Sequence, residues 1–199
     1  MKRITVTVTG PSASGKTELV KKMVDNYGFE KLVSVTTRPM REGEVEGKDY
    51  YFIDEARFTE LKAGSQLLQE VNFNGFNYGT TIVEMELVFS SGHTPVVIVE
   101  PGGVDQFKTL EEDFDFKVHS VFIDAPYEVL EQRFKARIAT TELTEYDINR
   151  LEAIKVEADD WYWQKEWCTI LHNPSNDLSV VDWFCRRIVS EVGDLMEKT

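Results

Sequence analysis

The chain has 199 residues, of which 42% are hydrophobic and 29% charged, proportions that suit one globular α/β unit. Its formal net charge of -13 repels long polyanions and excludes duplex nucleic acid as an expected partner, and no apolar run is long enough to cross a bilayer. Because Cys168 and Cys185 lack metal-like spacing and the chain opens on a predicted strand rather than a secretory leader, we expect a cytoplasmic protein with reduced thiols.

A glycine-rich loop follows the first predicted strand. Residues 3–9 alternate apolar and β-branched side chains as a strand does, and residues 18–26 carry apolar side chains at helical spacing. From Gly10 to Thr17 the sequence reads G-x-x-x-x-G-K-T, the phosphate-binding loop pattern in the strand–loop–helix context that it requires. Such a loop holds a di- or triphosphate on its backbone N–H groups, while Lys16 reaches the β- and γ-phosphates and the Thr17 hydroxyl can ligate Mg²⁺.

A second informative segment overlaps the next predicted strand, 31–36. It runs from Ser34 to Phe52 and is dense in arginine, glycine and acidic residues. Arg38 and Arg41, three residues apart, can converge on one anion as bidentate donors. On composition alone, a solvated charged loop explains the segment equally well.

The remaining predicted elements follow in chain order. A short strand over 50–53 and a helix over 57–63 precede two strands, 67–73 and 76–80, whose Asn74-Gly75 junction is a hairpin signal. After the hairpin, apolar periodicity predicts a helix over 82–90, a core strand over 95–99, a short helix over 104–110 and a core strand over 118–124. A helix that begins at 125 follows, and then a helix over 152–166, a strand over 168–171 and a closing amphipathic helix over 178–196.

These motifs together carry a resemblance to one family. The segment 34–52 matches the guanylate kinase pattern S-x-T-T-R-x-x-R-x-G-E-x-x-G-x-D-Y-x-F at every fixed position, and the match continues through Phe58, Asn74-Gly75, Tyr78 to Thr81 and Ser91-Gly92. The chain resembles this family well over roughly its first 155 residues and loosely beyond them. The resemblance implies an α/β P-loop NTPase fold with a three-layer core and a mostly parallel sheet. Its implied parts are the core over 1–33, 83–125 and 151–199, an inserted monophosphate-binding β-lobe over 34–82, and an arginine-rich lid over 126–150.

The same resemblance implies roles for residues of this chain. The implied ATP-binding residues are Gly10, Ser12, Ala13, Ser14, Gly15, Lys16, Thr17 and Asn173, with Mg²⁺ on Thr17. The acceptor phosphate is implied to bind Arg38, Arg41, Tyr50 and Tyr78. The implied catalytic residues are Lys16 and the lid arginines Arg133, Arg137 and Arg150, which neutralise the transferring group. The base is implied to face Ser34, Gln69, Thr80 and Glu100.

Two positions of this base pocket depart from the family pattern. Where the family has a guanine-reading Glu, this chain has Gln69, and Glu70 beside it faces the other side of a strand. Where the family reads D-x-D, this chain has Ile98 and Glu100. A Gln amide offers one acceptor and one donor to the two donors of guanine, and a buried unmatched donor costs about 1–3 kcal/mol. Either Gln69 and Glu100 read guanine together, or the protein takes a base with an acceptor–donor edge, such as thymine, uracil or adenine.

The resemblance implies ATP-dependent phosphorylation of a nucleoside monophosphate to its diphosphate, with GMP or dGMP as the first choice and Mg²⁺ and ATP as cofactor and co-substrate. The alternatives are a kinase for another or modified base, a DNA kinase, and a non-catalytic guanylate-kinase-like binding module. Such modules typically lose the P-loop lysine, which is present here as Lys16. We expect small-molecule nucleotides as partners, neither duplex nucleic acid nor a membrane, and a monomer or homodimer.

Overall fold

The structure, a computed structural model, describes residues 2–73, 75–111, 113–138, 143–161, 166–174 and 178–197. In chain order its elements are β1 (Ile4–Thr9), α1 (Lys16–Asn26), β2 (Phe29–Lys31), β3 (Val35–Thr36), β4 (Tyr51–Phe52), α2 (Glu55–Ala63), β5 (Leu67–Phe73), β6 (Phe76–Thr81), α3 (Ile82–Ser90), β7 (Thr94–Ile98), α4 (Pro101–Thr109), β8 (Lys117–Asp124), α5 (Tyr127–Arg137), α6 (Glu145–Asp160), β9 (Thr169–His172) and α7 (Leu178–Glu197). Among these described residues no helix combines the length and the apolar character that a membrane span needs.

A five-stranded parallel sheet forms the centre of the molecule. Its strand order is β2-β7-β1-β8-β9, and each neighbouring pair runs parallel. Because the carboxyl ends of parallel strands meet at one edge, the loops after β1, β7, β8 and β9 open towards the same side. The predicted α/β fold with a mostly parallel sheet is confirmed.

Helices cover both faces of this sheet. On one face α1 and α7 pack side chains such as Leu19 and Phe184 against β1, β7 and β8. On the other face α3 and α4 pack theirs, including Phe107, against β7. The neighbours Val96 and Val97 of β7 belong to opposite clusters, as the two-residue period of a strand requires. The core therefore has three layers.

A second, four-stranded sheet builds a small lobe. Its order is β4-β3-β6-β5, and the hairpin strands β5 and β6 pair down to Phe73 opposite Phe76, while Asn74 of the predicted turn lies outside the described residues. Val35 of this sheet packs with two buried residues of α2. The division of the chain into core, lobe and lid stays a prediction, and α6 runs without a break across the expected lid boundary at residue 150.

The predicted strand 31–36 is wrong as a single element. β2 ends at Lys31 in the central sheet, and β3 begins at Val35 in the small sheet. Between them the N–H of Val33 donates to Oε1 of the buried Glu84 at 2.9 Å. The chain crosses from one sheet to the other here, and a side chain replaces the strand partner.

Three helices begin earlier than their apolar pattern predicts, because capping groups extend them. The side chain of Asp54 accepts from the backbone of α2. Pro101 begins α4, where its missing N–H costs nothing. Thr144 and Asp147 form a reciprocal capping box that begins α6.

Candidate active site

The loop between β1 and α1 has the backbone shape of a phosphate cradle. Gly10 and Gly15 have φ angles of 140° and 108°, a region that favours glycine, and a Cβ on Gly10 would strike the backbone of Ile123. The Nζ of Lys16 donates to the carbonyl oxygens of Gly10 and Pro11, both at 2.8 Å. The Lys16 side chain thus folds back over its own loop. Phosphate oxygens of a bound nucleotide can replace these two carbonyl oxygens as hydrogen-bond acceptors of the Nζ.

The proton affinity of Lys16 is set by a crowded charge environment. Burial lowers its pKa from 10.5 to about 8. The carboxylate of Glu157 counters this effect, Arg150 and Arg137 add to it, and Glu100 counters it again. Two carboxylates and two guanidinium groups thus surround the P-loop lysine.

Asn173 and Arg133 hold the P-loop by its carbonyl oxygens. Asn173 is buried, and its Nδ2 donates to the Ser14 carbonyl at 2.8 Å. Nη1 of Arg133 donates to the carbonyls of Ala13 and Ser14 at 3.3 Å, and its Nη2 donates to Asn173 O and Oδ1 at 3.1 and 3.2 Å. Both predicted residues therefore lie at the loop, and they contact it from its carbonyl side.

The other lid arginines approach the same loop from α5 and α6. Nη2 of Arg150 donates to Ser12 Oγ, and its Nη1 lies 3.4 Å from Glu157 Oε1. Arg137 is exposed at the end of α5, and its charge acts on Lys16. Residues 139–142 of the predicted lid lie outside the described residues.

Four predicted phosphate ligands gather in the small lobe around one carboxylate. Nη2 of the buried Arg38 donates to Glu44 Oε1 at 2.6 Å, and the Arg41 N–H donates to Glu44 Oε2 at 2.7 Å. The Arg38 guanidinium lies 5.5 Å from the Tyr50 ring centre, and the rings of Tyr50 and Tyr78 meet edge-on at 5.8 Å. The hydrogen bond to Glu44 is the main cause that raises the pKa of Arg38. Two arginines and two tyrosines thus lie close together, and both arginines contact the Glu44 carboxylate.

The predicted base-facing residues form a short hydrogen-bond chain. Nε2 of Gln69 donates to Oγ1 of the fully buried Thr80 at 3.3 Å, and Thr80 Oγ1 lies 3.3 Å from Ser34 Oγ. Because Thr80 accepts from Gln69, its own proton is available for Ser34. Glu70, the next residue of β5, instead pairs with Lys62. Gln69 therefore turns inward, as predicted from the strand period.

Glu100 stands between the base-facing residues and the P-loop. It precedes α4 and lines the same cleft as Gln69 and Lys16. Burial is the main cause that raises the pKa of Glu100, Glu157 raises it further, and Arg150 and Lys16 oppose the rise. Its carboxylate is thus held among both positive and negative groups.

One cleft of about 470 Å³ lies between the P-loop, the small lobe and α6. Its lining includes the predicted site residues Gly10, Ser12, Lys16, Ser34, Arg38, Arg41, Tyr50, Gln69, Tyr78, Glu100 and Arg150. Thr17 lies in an adjoining cavity of about 750 Å³ that shares Ser34, Tyr50 and Ile98 with the cleft. The remaining predicted residues contact its walls or act on them through charge.

Comparison with known proteins agrees with this geometry. The family model described as guanylate kinase matches residues 2–180. The chain belongs to the guanylate kinase family. A solved guanylate kinase from Anaplasma phagocytophilum superposes with a TM-score of 0.69 over 100% of this chain and 88% of its own, at 23% identity, which establishes the shared fold.

Curated guanylate kinases align with the chain over part of its length. One from Lactobacillus johnsonii is 36% identical over 121 residues, 60% of this chain and 57% of that protein. One from Rhodopseudomonas palustris is 35% identical over 132 residues, 65% of this chain and 59% of that protein. One from Prochlorococcus marinus is 36% identical over 141 residues, 69% of this chain and 74% of that protein. The chain thus spans less than two thirds of the first two relatives.

Sequence reasoning missed two acidic residues of this site. Glu44 stands inside the arginine motif, where its place three residues after Arg41 is a signal for a local contact. Glu157 follows Arg150 by two helical turns, which puts both on one face of α6. Tyr146 of α6 and Trp161, the residue that follows α6, also line the cleft.

Proposed function

We propose that this chain is an ATP-dependent guanylate kinase that phosphorylates GMP or dGMP to the diphosphate. The observation that carries the proposal is the single cleft shared by the P-loop and the Arg38 cluster. A triphosphate on Lys16 and a monophosphate on Arg38 would face one another across it. Membership of the guanylate kinase family supports the same reaction.

In this proposal catalysis comes from positioning and charge neutralisation. An oxygen of the acceptor phosphate attacks the γ-phosphorus of ATP, and the bond to the ADP oxygen breaks. The acceptor phosphate is ionised at neutral pH, so the step needs no side-chain base. Lys16, Arg133, Arg137 and Arg150 supply positive charge where negative charge spreads in the transition state.

The site fits Mg²⁺ that enters with ATP. Mg²⁺ commonly binds through one or two protein oxygens, with phosphate and water as its other ligands. The exposed Thr17 hydroxyl next to Lys16 can supply one of these oxygens. Within the described ranges no group of three His, Cys, Asp or Glu side chains is placed to hold an ion alone. When bound, the ion would neutralise part of the phosphate charge. In the same proposal, Asn173 would lie towards the adenine of ATP.

One observation favours a second substrate class. The amide Nε2 of Gln69 is engaged by Thr80, which leaves Oε1 as the acceptor of that side chain. A base that pairs a donor with that oxygen, such as thymine or uracil, meets fewer unmatched donors than guanine does. Guanine remains our first choice, because family membership favours it and Glu100 offers a second acceptor.

We place the protein in the cytoplasm, acting on free nucleotides as a monomer or homodimer. Neither Cys168 nor Cys185 is in a disulfide within the part of the chain that the structure describes, which suits a reducing compartment. The net charge of -13 opposes binding of duplex DNA. The small lobe over 34–82 and the lid over 126–150 would close on the core when both nucleotides bind.

A steady-state assay tests the proposal. ADP release is measured from ATP and Mg²⁺ with GMP, dGMP and the other common monophosphates, in the parent, Arg38→Met and Arg57→Met. We expect GMP and dGMP to be the best acceptors, and Arg38→Met to raise their KM by at least about tenfold with little change in the ATP KM. Arg57 is an exposed arginine of the same lobe paired with Glu60, so Arg57→Met serves as the matched control. No turnover with any monophosphate would overturn the proposal.

A further inference from the structure

Glu157 joins α6 to the P-loop through one carboxylate. Its Oε2 accepts the backbone N–H of Ser12 at 2.6 Å, and its Oε1 lies 3.4 Å from Nη1 of Arg150. Arg150 in turn donates through Nη2 to the Ser12 hydroxyl. The three residues form a closed triangle, and 14% of the Glu157 side chain is exposed against 28% for Arg150. Two residues of one helix thus contact the side chain and the backbone N–H of a single P-loop residue.

We propose that Glu157 is a positioning residue that anchors α6 to the P-loop and holds the Arg150 guanidinium at the donor-phosphate site. The proposal rests on the proposed kinase function, since it assigns Arg150 to the transferring phosphate. Glu157 touches Arg150 and the loop backbone, and its effect on the reaction passes through them. An arginine side chain has many rotamers, and a carboxylate that fixes one of them spares the cost of ordering it during the reaction.

The charge of Glu157 by itself works against ATP. A carboxylate at the mouth of the loop repels a triphosphate, and this one acts on both Lys16 and Glu100. A purely electrostatic role therefore predicts tighter ATP binding when that charge is removed. A positioning role predicts the opposite for any change that removes the carboxylate's oxygen acceptors. The two roles can be separated by substitution.

The test compares Glu157→Gln and Glu157→Ala with the parent. Gln removes the charge and keeps one of the two oxygen acceptors, while its amide NH2 group faces the other donor, so we expect kcat to fall about three- to tenfold. Ala removes every contact, so we expect kcat to fall about ten- to a hundredfold and ATP binding to weaken, while the GMP KM changes less than about threefold. Glu152 is exposed on the same helix, and Glu152→Ala is the matched control with parent activity.

Coupling to Arg150 is tested in a double-mutant cycle. Calorimetric ATP affinity and kcat are measured for the parent, Arg150→Ala, Glu157→Ala and the double variant, with melting temperatures to establish folding. We expect Glu157→Ala to cost clearly less once Arg150 is gone, because only the Ser12 contact is then left to lose. The proposal would be overturned if the fold-losses of the two single variants multiplied in the double variant. Tighter ATP binding with unchanged kcat in Glu157→Ala would also overturn it.

The outcomes also separate this proposal from the proposed function. Absence of phosphoryl transfer by the parent would contradict the kinase function, and the ATP affinities of the four proteins would still decide whether Glu157 acts through Arg150. If the alanine variants do not fold, Glu157→Gln together with Arg150→Lys supplies the same cycle, with the same non-additive result expected.

Discussion

Lys16 is the residue on which the proposed reaction depends most. In that proposal its ammonium group must remain charged to hold the β- and γ-phosphates of ATP. In this structure it is surrounded by both signs of charge and donates to two loop carbonyls. The residue is therefore prepared to bind phosphate and is also easier to deprotonate than an ordinary lysine.

The lowered pKa of Lys16 predicts a pH limit on ATP binding. Because burial holds this pKa at about 8, the unliganded protein loses the lysine proton as pH rises through that value. ATP is fully ionised there, so its affinity should fall about fivefold between pH 8 and pH 9, as one titrating group requires. Calorimetric titration across this range checks the prediction. Lys16→Met should bind weakly with no such pH dependence, and an equally steep dependence in that variant would contradict the account.

The side chain at position 69 is expected to influence which nucleotide base the protein selects. Gln69→Glu replaces the amide by a carboxylate with acceptors for both donors of guanine, so we expect kcat/KM for GMP relative to dTMP to rise about ten- to a hundredfold. A steady-state comparison of the two nucleotides measures the ratio. Glu70→Gln alters the neighbouring residue on the other face of β5 and should leave the ratio unchanged. An unchanged ratio in Gln69→Glu would show that Gln69 does not read the base.

At the scale of elements, β8 and α7 are joined by a buried titratable contact. His119 of β8 is buried, and its Nε2 lies 3.0 Å from Oε2 of Glu191 on α7. Burial lowers the pKa of His119, although Glu191 opposes the shift, and Arg187 lowers it further. The contact joins the closing helix to the central sheet.

The burial of His119 predicts that the fold loses stability in mild acid. The pKa of His119 is lower in the folded chain than its ordinary 6.5, so its contribution is complete above pH 6.5 and falls as the unfolded chain takes up the proton below it. The loss is at most about 1.4 kcal/mol per pH unit for one proton. Urea unfolding between pH 7.5 and pH 5.5 should show a smaller loss in His119→Gln than in the parent. His93→Gln, at an exposed histidine, should behave like the parent, and equal slopes in all three would refute the prediction.

Apolar spacing predicted the type of most elements, and local chemistry set where they begin. The segment 31–36 shows the limit, because its alternating pattern is that of one strand while its two halves pair in different sheets. That division depends on Glu84, a residue far along the chain that takes the backbone N–H of Val33. Spacing within one segment carries no information about such a partner.

At the scale of the whole molecule, motif spacing predicted which residues share the cleft but not how they are held. Lys16, Arg38 and Gln69 lie in different elements, and their convergence follows from the resemblance to one family. The carboxylate of Glu157 was not predicted as a site residue, because its role depends on the three-dimensional position of Ser12. Glu44 was also not predicted, although its arginine partners lie three and six residues before it in the chain. The Ser12–Glu157 contact joins residues 145 positions apart.

Transfer of labelled phosphate from ATP to GMP tests the central claim most directly. The protein is incubated with γ-labelled ATP, Mg²⁺ and GMP, and the products are separated. Because the proposed sites for the two nucleotides share one cleft and the proposed lid would exclude water, we predict that the label appears in the β-phosphate of GDP with little free phosphate. Label found only in free phosphate, or only in added DNA, would contradict the claim that this cleft is the site of a nucleoside monophosphate kinase.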